Sequence, residues 1–415
     1  MSGEAPGAPA VSPAVVAALR ALPSPVCAFV YDRATLRANA GRVRAALPAG
    51  TLLCYAVKAN GHPDVVGALA DCLDGLEVAS GGELAIARTA LARTAVAGTA
   101  PTRALVVFAG PAKTDAELTA AVAAGAVLHV ESVHELRRLA HLVGSSGTPT
   151  VAVALRVNRT AEPPAGSHRM TGTASQFGMD EAALPEAVAV AAASPAIQVI
   201  GFHLHAVSNN LDATVHAGFV VDAVHWSVQA AGRLGIALRY VNVGGGLGVD
   251  YAGGAAFDLD ALRVGLTAAA RALPPDARLV FEPGRLLAAS AGWYAAEVLD
   301  VKRSHGRWFA VLRGGTHHFR LPAAWGYSHP FAILPVEHWP YPFPRPQVTG
   351  APVNVVGELC TPRDVLARDA PVQRLRAGDV VVFPDAGAYG WDISHHDFLR
   401  HPPPQFIVTG EPETR

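Results

Sequence analysis

From Thr51 onward, short apolar runs alternate with longer stretches in which apolar residues recur every three or four positions. This is the pattern of parallel strands covered by helices. Eight runs read as strands, near 51–57, 76–79, 104–108, 127–130, 150–157, 198–204, 237–243 and 278–282. Helix signals separate most of them. Asp32 can cap a helix carrying Leu36, Ala40, Val43 and Leu47 on one face, Pro63 suits a first turn, and Ser80 with Glu83 has capping-box spacing. Eight such units predict a (β/α)8 TIM barrel. In that architecture chemistry gathers at the C-terminal strand ends, where Lys58, His205, Gly244 to Gly246 and Glu282 fall.

Beyond about Leu287 the pattern changes to strand-like segments at 293–301, 308–312, 353–358, 379–383 and 405–408, separated by loops rich in proline, glycine and histidine. These predict a C-terminal β-sandwich or β-barrel domain, which the early strand Val26 to Tyr31 can join. The expected organisation is a disordered tail over 1–12, a barrel over 33–287, and a β domain from 13–32 with 288–415. Residues 159–176, without periodicity, read as a mobile loop.

Composition narrows the partners. The 415 residues are 51% hydrophobic and 16% charged with a net charge of −1, enough for a large core and without a basic run. Nucleic acid and anionic membranes are therefore poor partners, and a small-molecule substrate is favoured. Cys27, Cys54, Cys72 and Cys360 lack CxxC spacing, which argues against a disulfide framework or a zinc site and suits a reducing cytoplasm. The N-terminal stretch has no secretory pattern, and no apolar run reaches the ~20 residues needed to span a bilayer.

Several motifs carry candidate chemistry. Lys58, in Tyr55-Ala-Val-Lys-Ala-Asn60 after an apolar run, reads as a buried amine suited to Schiff-base formation; the competing reading is a lysine snorkelling from a strand end. Val243-Gly-Gly-Gly-Leu-Gly248 could bring backbone amides to a phosphate, or simply form a tight turn. Phe281-Glu-Pro-Gly-Arg285 places a carboxylate and a guanidinium together, either as an ion pair or as partners of a ligand. His203 and His205 share a strand face. Cys360, in Gly357-Glu-Leu-Cys-Thr-Pro-Arg-Asp364, is inert or reactive, and Phe383-Pro-Asp-Ala-Gly-Ala-Tyr389 presents a hydroxyl.

Taken in this order over nearly the whole chain, the motifs resemble the fold-type III pyridoxal phosphate enzymes, the ornithine and diaminopimelate decarboxylase group, whose barrel is of the alanine racemase type. The resemblance implies pyridoxal 5'-phosphate as cofactor, with Lys58 as its anchor, His205 stacked on its ring and Glu282 on its ring nitrogen. Ser208, Gly244, Gly245, Gly246, Arg285 and Tyr389 would hold its phosphate. It further implies a head-to-tail homodimer in which Cys360 reaches the partner's site as the general acid at Cα. A glutamate at 282, where racemases carry arginine, favours decarboxylation.

In relatives acting on basic diamino acids an acidic residue follows this cysteine, but here Thr361-Pro-Arg363 does. A cationic substrate arm loses its counter-charge, and a guanidinium suits a carboxylate instead. Arg363, Asp364, His317, His318, Arg320 and His396 are the candidate contacts to an anionic substrate. These stretches resemble the siderophore-biosynthesis branch, which implies a citrate-conjugated amino acid such as citryl-diaminopropionate or citryl-serine. The alternatives are a decarboxylase of free diaminopimelate, ornithine or lysine, and a non-catalytic, cofactor-binding regulator. The loop histidines form no evident ligand set, so no metal is expected.

Overall fold

Each of the eight predicted runs is a strand of one closed parallel barrel in the computed structural model, which describes residues 9–96, 104–144 and 150–410. The strands are Leu52–Ala56, Gly75–Val78, Leu105–Phe108, Val127–Val130, Val151–Asn158, Ile197–His203, Tyr240–Asn242 and Arg278–Phe281. Arg278–Phe281 pairs back onto Leu52–Ala56 and closes the ring. Cys54, Val107, Val127, Ala154, Tyr240 and Val280 cluster together, and since six different strands supply them, this is the barrel interior.

Local signals set the helices between the strands. The Asp32 carboxylate accepts from the backbone N–H groups of Ala34 and Thr35 to open Arg33–Ala46, whose Leu36, Ala40 and Val43 are buried. Pro63 starts Pro63–Ala70. Ser80 Oγ accepts from Glu83 N while the Glu83 carboxylate accepts from Ala79 N. Among the described residues no helix is long and apolar enough to cross a membrane.

The chain divides into two compact units. Arg37–Val249 with Ala256–Leu287 forms the barrel, and Met1–Leu36, Asp250–Ala255 and Ala288–Arg415 form the other. The second contains a mixed sheet ordered 332–334, 380–383, 292–304, 307–312, 347–356, 365–376. Cys27–Asp32 pairs antiparallel with Gly292–Ser304 and parallel with Gln405–Thr409. Helix Pro13–Arg20, which has no counterpart in the sequence reading, buries Val15 and Leu19 against Ala28, Val30, Trp293 and Val382. Of the tail expected over 1–12, residues 1–8 lie outside the described residues, whereas Val11 packs on this cluster and Ser12 caps the helix. The Asp250–Ala255 excursion also had no signal; Tyr251 packs there against Trp325 and Tyr327, with ring centroids 5.7 and 6.0 Å away.

The segment read as a mobile loop is tied down. His168–Arg169 pairs with Val207–Ser208, and Arg159 binds Asp222 at 2.7 Å while lying over the Trp226 ring.

Candidate active site

Strand ends deliver one cluster of ionisable groups to the barrel's C-terminal side. Lys58 follows Leu52–Ala56 in the 3-10 turn Val57–Ala59, and its Nζ lies 2.6 Å from Glu77 Oε2. The amine is not buried as expected: the lysine side chain is 43% exposed, and burial falls instead on its partner, Glu77, at 1%. Lys113 supplies the contrast. Buried at 4% exposure, it donates to Glu135, Gly110 O and His129 O and so has its ammonium fully engaged in the fold. Of these two barrel lysines, Lys58 is the one whose amine can be reached.

Glu282 ends the eighth strand. Its Oε1 accepts from Asn242 Nδ2, and its Oε2 lies 3.7 Å from His203 Nε2. Burial, then the nearby Glu77 carboxylate, pushes Glu282 up to about 8 against the pull of Lys58, Asn242 and Arg156. Its charged form is therefore costly in this site, and a cation facing it would favour ionisation. Asn242 also donates to Tyr240 Oη and accepts from Gly244 N at 2.7 Å, so one amide ties the glycine turn to the acid.

The turn Gly244 to Gly246 has no room for side chains. A Cβ on Gly244 would meet the His205 ring at 2.3 Å, one on Gly245 the Glu282 carbonyl oxygen at 2.5 Å, and one on Gly246 the Val207 carbonyl oxygen at 2.7 Å. Gly244 and Gly246 also have φ of 69° and 94°. His205 therefore packs directly on Gly244, and its Nδ1 is enclosed without a hydrogen-bond partner. Burial first, then the Arg156 guanidinium, holds His205 well below the usual histidine range, so the ring is neutral. Ser208 lies in the short strand just beyond, and Arg285, 7% exposed, opens the helix after Glu282-Pro-Gly284.

Sequence reasoning passed over Glu77, Asn242, His129 and Arg156. Glu77 had a legible signal, a carboxylate inside the four-residue apolar strand Gly75–Val78, where an unpaired charge is costly. No metal ligand set was expected, yet His129, His203 and Glu282 place three ligand atoms within 4.8 Å of one another. Burial holds both imidazoles well below their usual range. His129 bonds to Tyr240 at 3.0 Å and its ring centroid lies 4.0 Å from that of His203, so these rings pack the floor beneath Glu282.

In the second unit Cys360 is exposed and Cys27 is buried; all four cysteines are free. Tyr389 adopts φ 54° in the turn after Val380–Phe383. The six candidate substrate contacts separate. Arg363 and Arg320 line a common cavity. Asp364, at 2% exposure, accepts from Thr316 N and Leu359 N, so its carboxylate is committed to the fold. His317 and His318 are fully buried, and His396 stacks on Trp391 at 3.5 Å while bonding Trp391 O. His395, rather than its neighbour His396, faces the cavity.

Residues 33–289 match the model of the family described as pyridoxal-dependent decarboxylase, pyridoxal binding domain. The chain is 39% identical over 400 residues to 2-[(L-alanin-3-ylcarbamoyl)methyl]-2-hydroxybutanedioate decarboxylase of Staphylococcus aureus, covering 95% of this chain and 96% of that one. It is 30% identical to L-glutamyl-[BtrI acyl-carrier protein] decarboxylase of Niallia circulans, over 92% and 88% of the two chains. Diaminopimelate decarboxylase of Aquifex aeolicus is also 30% identical, over 90% and 84%. The structure of diaminopimelate decarboxylase from Helicobacter pylori complexed with L-lysine superposes with a TM-score of 0.81, at 24% identity over 95% and 93%, a likeness of fold.

Proposed function

The chain belongs to the pyridoxal-dependent decarboxylases, and from that footing we propose that it removes the Cα carboxylate of an amino acid already conjugated to citrate. The similarity to the staphylococcal enzyme carries this reading, because it runs the length of both chains. That relative's name describes an alanine joined through an amide to a 2-hydroxybutanedioate, an arm with two free carboxylates. Thr361, where an acid would serve an amine-bearing arm, agrees with it.

The residues present fit pyridoxal phosphate. A reachable amine, a neutral imidazole with an unpartnered nitrogen, a turn closed to side chains and a buried acid whose charge a cation would favour lie together at the barrel's strand ends. When bound, the cofactor supplies an electron sink for the pair left at Cα as CO2 departs. In our reading Lys58 Nζ anchors it, and Glu77 holds that amine in place. Ser208, Gly244, Gly245, Gly246, Arg285 and Tyr389 would hold the phosphate. His205 would hold the ring of the cofactor. Asn242 occupies one Glu282 oxygen, and the other would hold the proton of the ring nitrogen, while Cys360 Sγ would return a proton to Cα. We place the enzyme in siderophore assembly, in the cytoplasm, as a head-to-tail homodimer in which Cys360 completes the partner's site.

The test is a substrate panel followed by CO2 release. A citryl-diamino acid should exceed diaminopimelate, ornithine and lysine by about 10⁴-fold in kcat/KM, the scale on which a site built to bind polar groups rejects ligands lacking them. A free amino acid turned over best would end the citryl reading, and no turnover with any of them would favour a regulator.

A further inference from the structure

The β unit holds a cavity of about 510 Å³ whose lining includes Arg320, Arg363, Arg368, His395, Tyr327 and Thr361. Its size is that of a small-molecule site. No aspartate or glutamate lines it, and among the described residues none of the three guanidinium groups has a carboxylate partner. Three like charges gathered without counter-charge repel one another, so an anion that enters gains from all three.

The cavity is also built rather than incidental. Asp364 binds the backbone of Thr316 and of Leu359, fixing two lining segments to each other at 2.7 and 2.8 Å. Ser328 Oγ accepts from Arg368 N at 2.9 Å, which fastens the Gly326 and Tyr327 turn to the strand Val365–Arg376. Arg320 N donates to Ser394 Oγ at 3.0 Å, and that hydroxyl donates in turn to Gly390 O, which sets the position of His395. Glycine is required where these ties converge: a Cβ on Gly357 or Gly315 would strike the Asp364 carboxylate at 2.2 or 2.6 Å. The arginine side chains are thus mounted on a fixed frame, which lowers the cost of ordering them around a ligand.

Leu359 and Thr361, the two chain neighbours of Cys360, both line the cavity. A substrate whose Cα is served by the Cys360 thiol therefore has this cavity within reach of its side arm. We propose that the cavity seats the two carboxylates and the hydroxyl of a 2-hydroxydicarboxylate arm, and that Arg320 and Arg368, with Arg363, determine substrate specificity. Two carboxylates answer three guanidinium groups, while Tyr327, Thr361 and His395 suit the hydroxyl. This rests on the citryl reading for the identity of the arm, and on the cavity alone for its charge.

The experiment uses the cofactor-loaded enzyme and free citrate as the probe in titration calorimetry, with Arg368→Ala, Arg320→Ala and the lysine replacements. All three arginines are exposed at the surface, so the fold should tolerate the change. Each alanine variant is expected to weaken citrate binding about 10-fold, with a matching rise in KM for the citryl substrate and partial recovery with lysine. Acetate should bind the parent protein far more weakly than citrate. Unaltered citrate affinity in both alanine variants overturns the cavity assignment, even if citryl substrates are turned over. Arginine-dependent citrate binding by an enzyme that prefers free amino acids keeps the anion site and overturns the substrate reading instead.

Discussion

The cluster at the barrel's strand ends and the cavity of the β unit handle ionisable groups in opposite ways. In the barrel, charges are enclosed and coupled: Glu77 holds Lys58, Asn242 and His203 meet Glu282, and Glu282 rises to about 8 because burial and Glu77 both oppose its charge. In the β unit, three guanidinium groups stand open around one cavity with no acid among them. Enclosed, mutually dependent charges are suited to stabilising charge that appears during bond breaking. Open charges of one sign suit capture of a ligand that arrives already charged. In the proposed reading, the first cluster serves reaction and the second serves selection.

The sharpest way to break that separation is Lys58→Ala. Loss of the anchoring amine should remove turnover and the visible absorbance of the bound cofactor together, whereas citrate affinity in the β unit should persist. Mixing Lys58→Ala with Cys360→Ala should then restore about a quarter of parental CO2 release if sites are shared between protomers of a two-fold dimer. No recovery under subunit exchange would show that each chain works alone. Cys360→Ala by itself should lower product formation by about 10²- to 10⁴-fold with cofactor absorbance intact. Normal turnover would assign the proton to another group.

Glu282→Gln should cost about 10²-fold in rate, the scale for removing one preorganised group. It also carries a stability signature. In the cofactor-free protein the folded carboxyl keeps its proton up to about pH 8, whereas the unfolded one loses it in the ordinary carboxylate range. The folded state binds the extra proton in that window, so stability contributed by this group is present at low pH and is lost as pH rises toward 8. Thermal melts of cofactor-free Glu282→Gln should lack that slope, and an unchanged slope would place its origin elsewhere. The smallest effect belongs to the β unit: Arg363→Ala should raise KM about 10-fold with kcat held, which initial-rate measurements would resolve. A fall in kcat alone would give Arg363 a part in the reaction and blur the comparison.

Legibility followed the same divide. All eight barrel strands were visible because each is built around a short apolar run, and the strand ends that carry Lys58, His205 and Glu282 follow from the strands. Glu77, Asn242 and Arg156 escaped because their importance lies in partners from other strands. In the β unit, Val365–Arg376 went unseen: it carries four charged residues and alternates only in part, and what makes it a strand is its pairing with Gln347–Val356. Helix Pro13–Arg20 was masked by its small, proline-flanked composition. The histidines at 317, 318 and 396 read as substrate contacts in sequence, although burial and ring packing hold the first two, and stacking and a backbone hydrogen bond hold the third.

One pairing has a consequence for how the protein is made. Cys27–Asp32 lies between Gly292–Ser304 and Gln405–Thr409, so an early strand must wait for nearly the whole chain before both its edges are covered. At ~5–20 residues per second of synthesis that delay is on the order of tens of seconds, during which every barrel strand has already left the ribosome. The barrel can therefore close on the nascent chain while the apolar Cys27-Ala-Phe-Val-Tyr31 edge stays bare. The β unit is therefore the last part to be completed, and a chain that stalls late would emerge with a closed barrel and an unfinished β unit, the unit that carries both Cys360 and the arginine-lined cavity.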